Sequence, residues 1–203
     1  PQRPAAPDAR LYWIALCKED APLAWIGLDD HTREEAEAVI ASATMAGLQV
    51  ELITGDSSSQ GPLLARDLGI NVVKRGLTPQ QKMAHVQQLQ SAGAVVTMVG
   101  DGLNDAPVLS LADASFAVAG ATDLARTQAD FVIVDGDLHA VASTWRKARQ
   151  CRRIILQNFG WALGYNISAI PLAAMGFIPP WAAAIGMSLS SLLVVANSLR
   201  LNR

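Results

Sequence analysis

The chain has 203 residues, enough for one medium domain plus something smaller and for a substantial buried core. Sixteen basic against 18 acidic side chains give a net charge of -2, a balance that offers nothing to a phosphate backbone and sets nucleic acid aside as a partner. Cys17 and Cys151 lie far apart without Cys-x-x-Cys spacing, so neither a disulfide framework nor a zinc site is indicated, and both read as ordinary buried thiols.

The opening "PQRPAAPDAR" has neither the apolar core nor the cleavage pattern of a signal peptide and reads as the interior of a longer protein. Two apolar runs, "LYWIALC" and "PLAWIGL", flank "KEDA" and predict a hairpin. From His31 the period changes to helical, with Ala36, Val39, Ile40, Ala43 and Met45 on the repeat and Gly47 as its stop. "LQVELIT" predicts a strand running into "GDSSSQ"; a helix then ends at Gly69, and "NVVK" forms a short strand. In "TPQQKMAHVQQLQSAG", Thr78 is placed to cap a helix, Pro79 to open it and Gly93 to close it. "AVVTMV" is a continuous apolar strand, "NDAPVLSLAD" a helix, and "ASFAVA" and "DFVIVD" are strands separated by the helix "TDLARTQA".

Strand, loop and helix units with unbroken apolar strands predict an α/β fold whose parallel sheet is covered on both faces. Such sheets bind ligands beyond the carboxyl ends of their strands, where both "TGD" and "GDGLND" fall, so the two motifs are expected to face one site. Ile154 to Ile178 is an uncharged run of about 25 residues, roughly 37 Å as a helix, which is long enough to cross a hydrocarbon core of about 30 Å. Pro179 and Pro180 interrupt it, and the second uncharged run, Ala182 to Leu199, is roughly 27 Å long. Together they predict an α-helical transmembrane hairpin. Arg146, Lys147, Arg149, Arg152 and Arg153 before it, with Arg200 and Arg203 after it, put both ends and the α/β domain on the cytoplasmic side.

Asp101 and Asp105 at the mouth of the sheet would repel each other without a cation, and a hard ion such as Mg²⁺ is commonly held by one or two carboxylates plus substrate phosphate. Gly100 and Gly102 let the backbone turn sharply there. Asn104 and Asp105 also begin the next helix, so a capping role for either stands beside the metal role. Thr54 offers a hydroxyl and Gly55 an approachable N–H, both suited to phosphoryl oxygens. Lys82 sits in a first helical turn, where a cation opposes the dipole unless an anion faces it. The combination reads as phosphoryl transfer assisted by Mg²⁺.

The segments "ITGD", "TPQQKMAHVQQLQ" and "MVGDGLNDAPVLSLAD" resemble the phosphorylation domain of P-type ATPases, within the haloacid-dehalogenase-like fold. The resemblance implies that Thr54, Gly55 and Asp56 border the phosphoryl group, that Lys82 contacts it, that Asp101 binds Mg²⁺, and that Asn104 and Asp105 support metal and phosphate. It divides the chain into residues 1–28, the tail of a nucleotide-binding domain; 29–145, the later part of the phosphorylation domain; and 146–203, the last two transmembrane helices. "WALGYNISAIPLAAMG" and "PPWAAAIGMSLSSLLVVANSLRL" are similar to the last two spans of heavy-metal pumps, in which Tyr165, Asn166, Met187 and Ser191 would line the path of the transported ion. Cu(I) is the ion implied, and a thioether such as Met187 suits it. "GLDD" and "VELITGDSSS" further resemble bacterial pumps serving cytochrome oxidase assembly, which places the chain in an inner membrane.

The chain departs from that family in lacking "DKTGT", with its phosphate-accepting aspartate, and the "CPC" span; Ser57 and Ala121 replace the usual Asn and Gly. Much of ATP binding would lie with the remainder of the pump. The strand bearing the nucleophile is central in this fold, so its loss predicts an unpaired gap in mid-sheet and a chain that is not an independent catalyst. Two other readings carry distinct expectations. A membrane-tethered phosphatase of the same superfamily would have to use Asp29 or Asp30, and a non-catalytic chain would bind a full pump or metal.

Overall fold

The computed structural model describes residues 11–18, 21–28, 32–101, 105–118, 120 and 123–202. They fall into two compact units, Pro1–Ala142 and Ser143–Arg203.

In the first unit, β1 (Tyr12–Lys18) and β2 (Ala21–Leu28) pair antiparallel, with the register slipping between Leu16 and Cys17. The predicted hairpin is present, but Cys17 is exposed and Cys151, in the second unit, is only half-buried, contrary to the expectation of buried thiols. Neither strand of this two-stranded ribbon carries a buried residue among those described, which leaves Cys17 without a core to enter.

Helix α1 (Ala36–Met45) stops where a glycine takes a left-handed turn: Gly47 has φ 80° and Leu48 N donates to Ala43 O at 3.0 Å. Strand β3 (Glu51–Ile53), helix α2 (Gln60–Asp67) and strand β4 (Val72–Lys74) follow, with β3 and β4 parallel. Helix α3 (Pro79–Ser91) begins at a capping box in which Gln81 N donates to Thr78 Oγ1 at 3.2 Å and Thr78 N donates to Gln81 Oε1 at 2.8 Å. It closes at Gly93, φ 88°, with Ala94 N donating to Leu89 O at 3.1 Å.

Strand β5 (Thr97–Gly100), helix α4 (Ala106–Leu111), strand β6 (Ala114–Ala117), helix α5 (Asp123–Gln128) and strand β7 (Phe131–Val132) complete the unit. The order β5-β6-β7 is parallel throughout, and Phe116 stacks on Phe131 with ring centroids 4.8 Å apart. The core is formed by Val86 of α3, Met98 of β5 and Ala106, Val108 and Leu109 of α4, with Ile53 of β3 packed at its margin.

Two features differ from a single sheet covered on both faces. Every strand of the two parallel sheets is shorter than its apolar run, since pairing covers only the residues with a partner opposite. Moreover, β3-β4 and β5-β6-β7 are separate sheets, with no hydrogen-bonded pairing between β3 and β5 among the described residues. The break falls where the sequence leads us to expect an unpaired gap. Met98 is buried while Val99 is 39 % exposed, so β5 is covered from one side.

The second unit is built on α6 (His139–Ala174), a 36-residue helix that begins in the first unit, and α7 (Pro180–Ser198). The turn between them starts at Gly176, φ 80°, with Phe177 N donating to Leu172 O at 3.0 Å; α6 therefore ends before Ile178, the expected limit of the first apolar run. The helices are joined by polar side chains: Asn158 Nδ2 donates to Ser198 Oγ at 3.0 Å, Asn197 Nδ2 to Asn158 Oδ1 at 2.8 Å, and Trp161 Nε1 to Ser190 Oγ at 3.1 Å. Among the described residues one helix, Pro180–Leu201 with mean hydropathy 1.7, is long and apolar enough to cross a membrane by length and composition. The uncharged part of α6 fails that test because Gln157, Asn158, Tyr165, Asn166 and Ser168 dilute its apolar content.

Candidate phosphoryl-transfer site

Strand β3 delivers Thr54 and Gly55 to the open end of its sheet. Thr54 N donates to Lys74 O at 2.8 Å, extending the β3-β4 pairing by one residue, and Leu77 N returns to Thr54 O at 3.1 Å. A Cβ added at Gly55 would stand 3.4 Å from Leu77 O, at the near edge of van der Waals contact. Asp56 N donates to Thr54 Oγ1 at 3.1 Å, while the Asp56 carboxylate accepts from Ser58 N at 2.8 Å and from Ser58 Oγ. The hydroxyl of Ser58, then its amide, hold the Asp56 carboxyl below the usual range. Asp56 is thus engaged in shaping the turn.

Helix α3 brings in Lys82. It is buried, and its Nζ lies 2.6 Å from Asp105 Oδ1, with the two side chains 8 % and 15 % exposed. Asp105 occupies the N-cap position of α4 but makes no side-chain capping bond. Of the two roles the sequence leaves open, capping is not taken up: the carboxylate turns to Lys82, which explains how a cation is tolerated in the first turns of a helix. Asp101 follows β5 and is exposed.

Thr54, Gly55, Asp56, Lys82, Asp101 and Asp105 all line one cleft of about 620 Å³, together with Ile53, Leu77 and Pro79. Residues from both parallel sheets meet there, at the carboxyl ends of β3 and β5. Asn104 and Gly102 lie outside the described residues. No group of three or more His, Cys, Asp or Glu side chains placed to hold a metal occurs among the described residues. Asp101 and Asp105 bring two hard carboxylates to the cleft lining, and an ion such as Mg²⁺ takes one or two carboxylates and completes its shell with water and phosphate.

Residues 7–113 match the family of haloacid dehalogenase-like hydrolases. The chain belongs to that family. Within it, this haloacid dehalogenase-like chain is 43% identical over 178 residues to the probable copper-exporting P-type ATPase V of Mycobacterium tuberculosis, a match covering 88% of this chain and 23% of the relative. It is 39% identical to the copper-exporting P-type ATPase of Bacillus subtilis, over 88% of this chain and 22% of that protein. The chain thus spans less than a quarter of the length of these relatives. The crystal structure of a zinc-transporting PIB-type ATPase in its E2·Pi state is similar with a TM-score of 0.85 at 31% identity, covering 96% of this chain and 32% of that one.

In the helical unit, Tyr165 is half-buried and its hydroxyl oxygen lies 2.5 Å from where a Cβ on Gly186 would stand, so it packs on the α7 backbone next to Met187. Asn166, Met187 and Ser191 are exposed, and Ser191 Oγ donates to Met187 O at 3.0 Å. The seam between the helices is lined instead by Asn158, Trp161, Ser190, Asn197 and Ser198, of which the sequence reading passed over Asn158, Trp161, Asn197 and Ser198; their signal is small and polar residues recurring along two otherwise apolar helices. Also passed over was a close pair in the α/β unit, His85 Nε2 and Glu51 Oε2 at 2.7 Å. Its one signal in the sequence is that His85 lies three residues after Lys82, on the same helix face.

Proposed function

We propose that the chain is the C-terminal part of an ATP-driven heavy-metal pump, with Cu(I) as the transported ion. The observation that carries this reading is the cleft between β3 and β5, where residues of two sheets meet around a place with no hydrogen-bonded strand among those described. In this reading the remainder of the pump binds most of the ATP and brings the aspartate that accepts the phosphoryl group. The Thr54 hydroxyl and Gly55 N–H donate to phosphoryl oxygens, and Lys82, held by Asp105, places a buried positive charge beside them. Asp101 and Asp105 hold Mg²⁺, with Asn104 supporting metal and phosphate. The ion, when bound, neutralises charge on the phosphoryl oxygens.

The helical unit forms the last two spans of a multi-pass protein of a bacterial inner membrane, with the α/β unit in the cytoplasm. Residues 154–174 of α6 are uncharged and rise roughly 31 Å, and the 19 residues of α7 roughly 28 Å, both close to the thickness of a hydrocarbon core. Tyr165, Asn166, Met187 and Ser191 contribute to the ion path. The names of the curated relatives and the soft thioether of Met187 favour Cu(I) over the zinc carried by the structural neighbour.

The test is to combine the chain with the polypeptide that supplies "DKTGT" and to measure acyl-phosphate formed from ATP with Mg²⁺ and Cu(I). The combination is expected to form it, and Asp101→Asn to lower its rate by about 10²-fold or more. ATP hydrolysis by the 203-residue chain alone, or an unchanged rate in Asp101→Asn, overturns the reading. Hydrolysis of a simple phosphate ester by the chain alone, lost in Asp29→Asn or Asp30→Asn, would establish the phosphatase in its place; both residues lie outside those described.

A further inference from the structure

Helix α3 makes polar contacts with both sheets that border the cleft. Toward β3, His85 Nε2 lies 2.7 Å from Oε2 of Glu51, with side chains 11 % and 15 % exposed, and Gln49 Nε2 donates to the other Glu51 oxygen at 2.9 Å. Toward β5 and α4, Lys82 holds Asp105, and Gln90 Nε2 donates to Leu111 O at 3.0 Å and to Asp113 Oδ2 at 3.2 Å. Thr54 and Gly55 therefore extend one sheet while Asp101 and Asp105 follow the other, and no strand pairing joins β3 to β5 among the described residues. Val86 and Met83 of α3 also touch the core, but apolar contact is non-directional and tolerates sliding. A hydrogen-bonded pair does not.

We propose that His85 and Glu51 are positioning residues: their contact fixes α3 on β3 and thereby sets where Lys82 stands relative to Thr54 and Gly55. The inference rests on the phosphoryl-transfer reading of the cleft. Its force comes from geometry, since a displacement of about 1 Å at a reacting centre can cost about 10²-fold in rate. Lys82 and Asp105 move together as a pair, so losing the His85 contact shifts both against Thr54 without breaking either from its partner.

The test is a double-mutant cycle in the pump that contains this chain, reading single-turnover acyl-phosphate formation and the KM for ATP. His85→Leu is expected to slow phosphorylation by about 10- to 100-fold with KM unchanged. His85→Gln, which keeps an N–H donor for Glu51, is expected to recover most of the rate. In a Lys82→Ala background, His85→Leu is expected to add less than about twofold, because its effect passes through Lys82. Equal losses in both backgrounds, no loss at all, or no recovery with Gln each overturn the proposal. A strand inserted between β3 and β5 in the assembled pump that takes over the spacing would show as the second of these. If Lys82→Ala itself leaves phosphorylation unchanged, the reading of the cleft falls as well; a Lys82 effect with additive His85 removes only the positioning role.

Discussion

The α/β unit and the helical unit dispose of their polar groups in opposite ways. All 18 acidic side chains and nine of the 16 basic ones lie in residues 1–142, whereas residues 143–203 have seven basic side chains and no acid. In the first unit, the buried charge of Lys82 is met by the opposite charge of Asp105, and the half-buried Glu51 carboxylate is met by a hydrogen bond from His85. In the second, neutral amides, hydroxyls and an indole bond across the helix seam, while Phe159, Ile167, Leu192 and Val195 stand 66 %, 64 %, 63 % and 56 % exposed. The phosphoryl group proposed for the cleft would call for concentrated charge between the two sheets; the lipid phase proposed for the helices would call for polar groups turned inward and apolar ones outward. One sequence satisfies both by confining each strategy to its own segment.

The sharpest way to break this contrast is at the buried ion pair. Lys82→Ala leaves Asp105 without its partner and is expected to destabilise the α/β unit by about 3–5 kcal/mol, measured by urea unfolding. Replacing both partners, Lys82→Met with Asp105→Leu, is expected to restore most of that stability while phosphoryl transfer stays lost. An unaltered unfolding midpoint in the single variant would show that charge pairing is not what organises this unit.

The helical unit offers a smaller and purely steric counterpart. Gly186→Ala places a methyl group 2.5 Å from the Tyr165 hydroxyl oxygen but 3.5 Å from the ring carbon that bears it. The crowding is expected to cost about 1–3 kcal/mol in thermal unfolding in detergent. Tyr165→Phe removes the offending oxygen and leaves an ordinary contact, so the double variant should regain most of the loss. If Tyr165→Phe gives no recovery, packing of α6 on α7 is set elsewhere along the seam.

Local chemistry was the legible part of this molecule. Thr78, Pro79, Gly47 and Gly93 mark their helix ends from sequence because capping and left-handed turns are decided within a few residues. The meeting of "TGD" with Asp101 and Asp105 was also readable, because parallel strands present their carboxyl ends on the same side. That Asp105 leaves α4 uncapped and bonds Lys82 was not, since capping and metal binding were the roles open to an aspartate at a helix start and a partner 23 residues away decides. The pairing of Glu51 with His85, 34 residues apart, shows in no local window, which reveals only that His85 shares a helix face with Lys82. Strand lengths were overestimated for a related reason, because an apolar run shows what can be buried and only a neighbour determines what is paired.

The smallest effect is expected where charge in the α/β unit is neither buried nor paired with a cation. Asp56 is exposed, and its carboxyl is depressed by the Ser58 hydroxyl and amide. A carboxyl lowered in the folded state adds stability above its unfolded pKa and loses it as pH falls through the folded one. The contribution of this turn should therefore be complete at neutral pH and disappear only on the acid side of the ordinary carboxylate range. Ser58→Ala removes the larger of the two causes and keeps the amide bond, so the Asp56 carboxyl should titrate closer to its ordinary value when followed by carbon NMR. Stability at neutral pH should change only slightly, because solvent already screens an exposed group. A large loss there would mean that the "TGD" turn supports the cleft through Asp56 as strongly as the buried pair does through Lys82.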